Sequence, residues 1–109
     1  MNDWAIQLKN TKHIPKEKIR GTALQGYVDI SLNDLRKLFG EETRKNTDPI
    51  KTHFEWDLEC DGIIFTIYDY YTWEDENDIN PDEQVTFHIG GLTKETADFV
   101  YRLIKYNID

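Results

Sequence analysis

Between His53 and Tyr71 the chain reads "HFEWDLEC", then "DG", then "IIFTIYDYY". Strict alternation of apolar and polar residues is the period of a half-buried strand, and Asp-Gly is the dipeptide that a tight type I′ turn prefers. With Asp61 and Gly62 as the turn, Cys60 pairs with Ile63, Leu58 with Phe65 and Trp56 with Ile67. Parity then places Phe54, Trp56, Leu58, Cys60, Ile63, Phe65 and Ile67 on the core face. The opposite face carries Glu55, Asp57 and Glu59 against Ile64, Thr66, Tyr68 and Tyr70.

Other segments add to this hairpin. "GYVDI" (residues 26–30) is a short strand candidate that leads into "SLNDLRKLFG". There Ser31 is the N-cap with Asp34 three residues on, Leu32, Leu35, Leu38 and Phe39 share a helical face, and Gly40 supplies the stop. "VTFHIGG" is a further strand, with Val85, Phe87 and Ile89 inward and Thr86 and His88 outward. "LTKETADFVYRLIKYN" closes the chain as a helix, with Thr93 as N-cap and Ala97, Val100, Tyr101 and Ile104 along one face. Residues 1–21 read as an N-terminal arm, "EETRKNTDP" as a polar loop and residues 72–83 as a long acidic loop. The order β-α-β-β-β-α predicts a single α+β domain over residues 1–109. Its antiparallel sheet has about four strands, with two helices packed on one face and the other face left to solvent.

Charge sharpens this picture. Residues 1–51 hold ten Lys or Arg against seven Asp or Glu, whereas residues 52–93 hold none against eleven. The formal net charge is −8. Such asymmetry concentrates negative potential and disfavours direct binding to duplex DNA, whose phosphates need a basic patch. No apolar run approaches a membrane span, and the N-terminus lacks the basic-then-apolar pattern of a secretory signal. A lone cysteine, Cys60, forms no internal disulfide, so a reducing cytoplasm is the expected compartment.

The candidate binding residues follow from the outward positions. Glu55, Asp57 and Glu59 repel one another on one strand unless something cationic answers them. Tyr68, Tyr70 and His88 lie on the same predicted face, and aromatic anchors beside charge are typical of interaction hot spots. Trp73, Glu74, Asp75, Glu76 and Asp78 add an aromatic residue and four acids from the loop. The run Asp78-x-Asn80-x-Asp82 imitates the start of a calcium-binding loop, but Glu83 stands where glycine is needed and Ile89 where a bidentate glutamate is needed. His13, His53 and His88 have no metal-ligand spacing. His88 oriented by Asp57 or Glu55 is the one general-base arrangement in view, and no nucleophile motif accompanies it. The expectation is therefore a protein that is not an enzyme, with no cofactor and no metal.

The motifs GYVDIS, LFGE, EWDLE-x-DG, TIYDY and HIGG, in that order and spacing, cover about two thirds of the chain. In them the sequence resembles a group of small phage-encoded proteins of unassigned function. Glu42 stands where that group usually has proline, and Phe87 where it usually has tryptophan. The resemblance implies a phage protein in the cytoplasm of a bacterial host and carries over no catalytic residues. Three readings stand. The first is a counter-defence inhibitor that docks by its acidic, tyrosine-bearing face on a host protein with a basic or nucleic-acid-binding surface. The second is a sponge for a nucleotide second messenger, with bases stacked on Tyr68, Tyr70, Tyr71 and Trp73. Its phosphate would meet the arm or Arg36 and Lys37. In the third, the acids serve solubility alone. Symmetric self-association through the edge of the meander is open in all three.

Overall fold

The computed structural model describes residues 3–108, and in it the alternating segments form strands in the expected register. The elements are α1 (Trp4–Lys9), β1 (Thr11–His13), β2 (Ala23–Ser31), α2 (Leu32–Phe39), β3 (Arg44–Asp48), β4 (Thr52–Cys60), β5 (Ile63–Tyr68), β6 (Gln84–Gly91) and α3 (Lys94–Lys105). In the hairpin, Cys60 lies opposite Ile63, Leu58 opposite Phe65 and Trp56 opposite Ile67. Both turn residues take positive φ, 49° at Asp61 and 87° at Gly62. That is the backbone a type I′ turn requires, and it explains the Asp-Gly dipeptide.

The fold is α+β with one antiparallel sheet, but the described residues build six strands and three α-helices rather than about four and two. The strand order is β1-β4-β5-β6-β2, and β3 also pairs with β4. Two of the strands come from segments read as arm and loop. β1 lies opposite Leu58, Glu59 and Cys60, while β3 lies opposite Thr52, Phe54 and Glu55, so the two share the outer edge of β4 end to end. Neither "TKH" nor "RKNTD" has a hydrophobic period of its own. They become strands because the backbone groups of β4 need partners. The third helix, α1, starts where the Asp3 carboxylate accepts the N–H groups of Ala5 and Ile6, and its Trp4 and Leu8 pack against the core.

One face of the sheet carries the helices. Trp56, Leu58, Phe65, Ile67, Phe87 and Ile89 are fully buried there, beneath Leu35 and Phe39 of α2 and Val100 and Leu103 of α3. The start of α2 is as expected, with the Ser31 hydroxyl accepting the Asp34 N–H at 3.1 Å. In α3 the buried face differs, since Leu103 is inside and Tyr101 is exposed. Thr93 does occupy the N-cap, although its side chain makes no capping bond. Two glycines let α3 approach the strands. A Cβ on Gly26 would lie 2.8 Å from that of Ala97, and one on Gly91 would lie 2.5 Å from the Thr96 methyl.

The other face is not left wholly to solvent. β1 is at one edge of the sheet and β2 at the other, so residues 14–22 must cross it. Ile14 donates its N–H to the Asp57 carbonyl at 3.0 Å, which extends the β1 pairing and points its side chain away from the helices. The 3-10 turn Lys16–Ile19 then packs on β5. Ile14 of the crossing is itself buried, as are Asp57 and Thr66 of the face it covers. The acidic loop goes the other way. Trp73 is buried against Phe54 and Phe87, and the Pro81 carbonyl accepts the Asn33 N–H of α2 at 3.0 Å, so the loop folds onto the helix-bearing side.

If Gly91 sets the height of α3, Gly91→Ala must push the helix outward. Urea denaturation is expected to show a loss of about 1–3 kcal/mol, the usual cost of overpacking.

Candidate functional site

Register places one residue from each of five adjacent strands in a single row on the face away from the helices. Arg44 of β3 lies opposite Glu55 of β4, Glu55 opposite Tyr68 of β5, Tyr68 opposite His88 of β6, and His88 opposite Tyr27 of β2. Directly opposed residues in antiparallel strands share a face and touch. The row is thus a continuous line from a cation, through a carboxyl group, to a run of rings.

At its aromatic end, His88 is the hub of three tyrosines. Ring centroids stand 5.0 Å away for Tyr27, 5.4 Å for Tyr68 and 5.2 Å for Tyr70. Tyr71 packs edge-on against Tyr70 at 4.8 Å, and Lys51 lies over the Tyr71 ring at 5.9 Å. Tyr70 and Tyr71 are displayed because Asp69 turns inward. Its carboxylate accepts the backbone N–H groups of His53 and Phe54, at 3.0 and 2.7 Å, and sits 3.2 Å from the His53 ring nitrogen Nδ1. These bonds end the β4–β5 pairing and send the chain out, with Tyr71 held at φ 55° by an N–H bond to the Lys51 carbonyl. Tyr27, Tyr70 and Tyr71 are all exposed.

The charged end is a cluster built on buried Asp57. The Arg44 guanidinium donates through Nε to Asp57 Oδ2 at 2.8 Å and through Nη2 to Glu55 Oε2. One cation therefore answers two neighbouring carboxyl groups. Asp57 is fully buried, and its Oδ1 has no hydrogen-bond partner among the described residues. Burial, reinforced by Asp57, pushes the Glu55 carboxyl up to about 7 against the opposing pull of Arg44. Burial works against the Arg44 charge as well, but Asp57 and Glu55 outweigh it and hold the guanidinium above its ordinary range. Burial and then the Glu55 charge raise the Tyr68 phenol. Burial lowers His88, opposed by Asp69. The site presents rings and hydrogen-bonding groups beside a carboxyl group, Glu55, that burial has pushed up to about 7.

The expected site residues divide into three groups. Glu55, Tyr68, Tyr70 and His88 come together in or beside the row. Asp57 lies beneath the surface, while Glu59 sits further along β4, opposite Lys12 and Ile64. Trp73 is buried in the core, and Glu74, Asp75, Glu76 and Asp78 are exposed on the loop that folds toward the helices. The outward acids thus fall on two sides of the sheet instead of forming one acidic surface. No carboxylate among the described residues hydrogen-bonds the His88 ring, so its orientation by Asp57 or Glu55 is not made. Arg36 and Lys37 are distant from the tyrosines, with Arg36 held by a two-pronged bond to Glu42 at 2.9 and 3.1 Å.

Sequence reasoning missed Tyr27 and Arg44. Parity within "GYVDI" makes Tyr27 outward once Val28 and Ile30 are inward, so its face was readable but its neighbours were not. Nothing local marks Arg44, because only the pairing of β3 with β4 brings it to Glu55. No family model matches the chain, and no curated protein or solved structure matches it either. No described helix is long and apolar enough to cross a membrane.

Two outcomes follow from the cluster. Arg44→Ala leaves buried Asp57 and partly buried Glu55 without their cation and is expected to destabilise the fold by on the order of 3 kcal/mol in chemical denaturation. The pKa of Glu55 is higher in the folded than in the unfolded chain. Its stabilising contribution is therefore complete below about pH 4.5 and lost as pH rises through about 7. Thermal melts across this window should show the wild type falling, while Glu55→Gln removes that component of the slope.

Proposed function

We propose that the chain is a non-enzymatic phage counter-defence protein that binds and inhibits a host protein in the bacterial cytoplasm, docking through the tyrosine row. The observation that carries this reading is the grouping of Tyr27, Tyr68 and Tyr70 around His88, with exposed Tyr71 beside Tyr70. Tyrosine rings bring large contact area at low entropic cost, and their faces accept guanidinium or ammonium groups. A basic segment of the target, of the kind that otherwise holds nucleic acid, fits such a surface. Its cation lies over the rings. The acidic loop favours the approach of such a target over longer range without belonging to the contact.

A second reading draws on the crossing arm. Lys16, Lys18 and Arg20 are exposed on a segment that traverses the same face as the tyrosines, which favours a nucleotide with its base on the rings. Tagged chain purified gently from phage-challenged host cells separates the readings by native mass spectrometry. The docking reading expects a co-purified protein, and a small-molecule adduct in its place defeats it. Replacing both Tyr70 and Tyr71 by Ala is expected to weaken capture by about a hundredfold, the scale of losing two aromatic anchors. The melting temperature should stay close to that of the wild type, because both rings are exposed. Capture that survives this double change places the site elsewhere.

A further inference from the structure

The two edges of the sheet are built differently. On one side β4 is covered by two short strands, β1 of three residues and β3 of five, which carry Lys12, Arg44 and Lys45. Short, basic strands are the usual means of stopping a sheet from growing. On the other side β2 runs for nine residues, and among the described residues no strand pairs with its outer edge. Its sequence, "ALQGYVDIS", has no lysine, arginine or proline and one charge, Asp29. Exposed apolar side chains gather along this edge. Leu24 and Tyr27 belong to β2 itself, Leu92 lies at its N-terminal end beside Gly21, and Tyr101 of α3 lines a groove with Val28 and Asp29. These are four of the nine large hydrophobic residues that the described surface exposes.

We infer that β2 pairs antiparallel with β2 of a second copy of this chain, joining two sheets and bringing their tyrosine rows end to end. The surface suits a second copy because the seam is nearly uncharged on a chain of net charge −8, so it is where two copies repel least. A two-fold axis perpendicular to the sheet must pass through identical residues, which leaves three registers near the centre of β2. An axis at Asp29 sets carboxylate against carboxylate. An axis at Tyr27 runs the pairing into the bulge, where Gln25 is the extra residue between Leu24 and Gly26. With the axis at Val28, pairing stays within the regular stretch opposite β6. Tyr27 then faces Asp29 of the second copy, once on each side of the axis. The Thr86 hydroxyl already donates to Asp29 Oδ1 at 2.6 Å, so Oδ2 takes the phenol of the second copy. Because Tyr27 ends the aromatic row, the joined sheets carry two rows on one face, an arrangement suited to bivalent binding.

Sedimentation equilibrium of the full chain tests this pairing. The wild type is expected to form dimers with a dissociation constant on the order of 10 µM. Tyr27→Glu sets like charges opposite each other at an exposed position and should weaken the dimer at least about tenfold. Tyr27→Lys faces Asp29 with a cation and should retain it. Tyr101→Glu, outside the tyrosine row, should also weaken it. Added salt should tighten the dimer by screening two negative chains, whereas it should loosen docking of a basic target, so failure of either proposal is visible independently of the other. A wild type that stays monomeric at about tenfold above that concentration in high salt overturns the inference. So do a Tyr27→Glu chain that dimerises as the wild type does and an equal loss in Tyr27→Glu and Tyr27→Lys.

Discussion

A single guanidinium, that of Arg44, answers two neighbouring carboxyl groups, one of which, Asp57, the fold has taken out of water. The chain must travel from β1 at one sheet edge to β2 at the other, and its crossing covers Asp57 and Thr66. A buried carboxylate without a cation is among the most costly features a small domain can contain. Arg44 resolves this for Asp57 and ties β3 to β4 in doing so. The cation is shared, however, and burial together with Asp57 pushes the Glu55 carboxyl up to about 7 in spite of it. The ladder of Arg44, Glu55 and Tyr68 thus couples the covered part of the face to the open part.

What remains open is narrow. The arm takes one end of the face and the Arg44 cluster takes a side, leaving the strip where Tyr27, Tyr68, Tyr70, Tyr71 and His88 lie. The inward turn of Asp69 is as important to this strip as the rings themselves, because three hydrogen-bonding groups of His53 and Phe54 hold its carboxylate and direct Tyr70 toward His88. The acidic loop is anchored from the opposite side by Trp73, whose buried ring packs on Phe54 and Phe87. Charge and aromatic surface are consequently separated. In the proposed docking, the first acts on approach and the second on contact.

The same geometry assigns different tasks to the two sheet edges. β1 and β3 close one edge with short, basic strands that would be unremarkable loops elsewhere. β2 ends the other edge with the last ring of the row, so growth of the sheet there and extension of the tyrosine face are one event.

Local chemistry alone determined much of the framework. Alternation around Asp61-Gly62 decided the β4–β5 register and the core identity of Trp56, Leu58, Phe65 and Ile67, because both the turn type and the period act over a few residues. Ser31 and Gly40 bounded α2 for the same reason. The outward direction of Glu55, Tyr68 and His88 was also readable from parity. Only the tertiary structure decided that Asp57 is buried, that Trp73 belongs to the core and that Arg44 and Tyr27 complete the row. Each of these depends on which distant strand or crossing segment lies alongside, and a two-residue period records the face of a side chain without recording what covers that face.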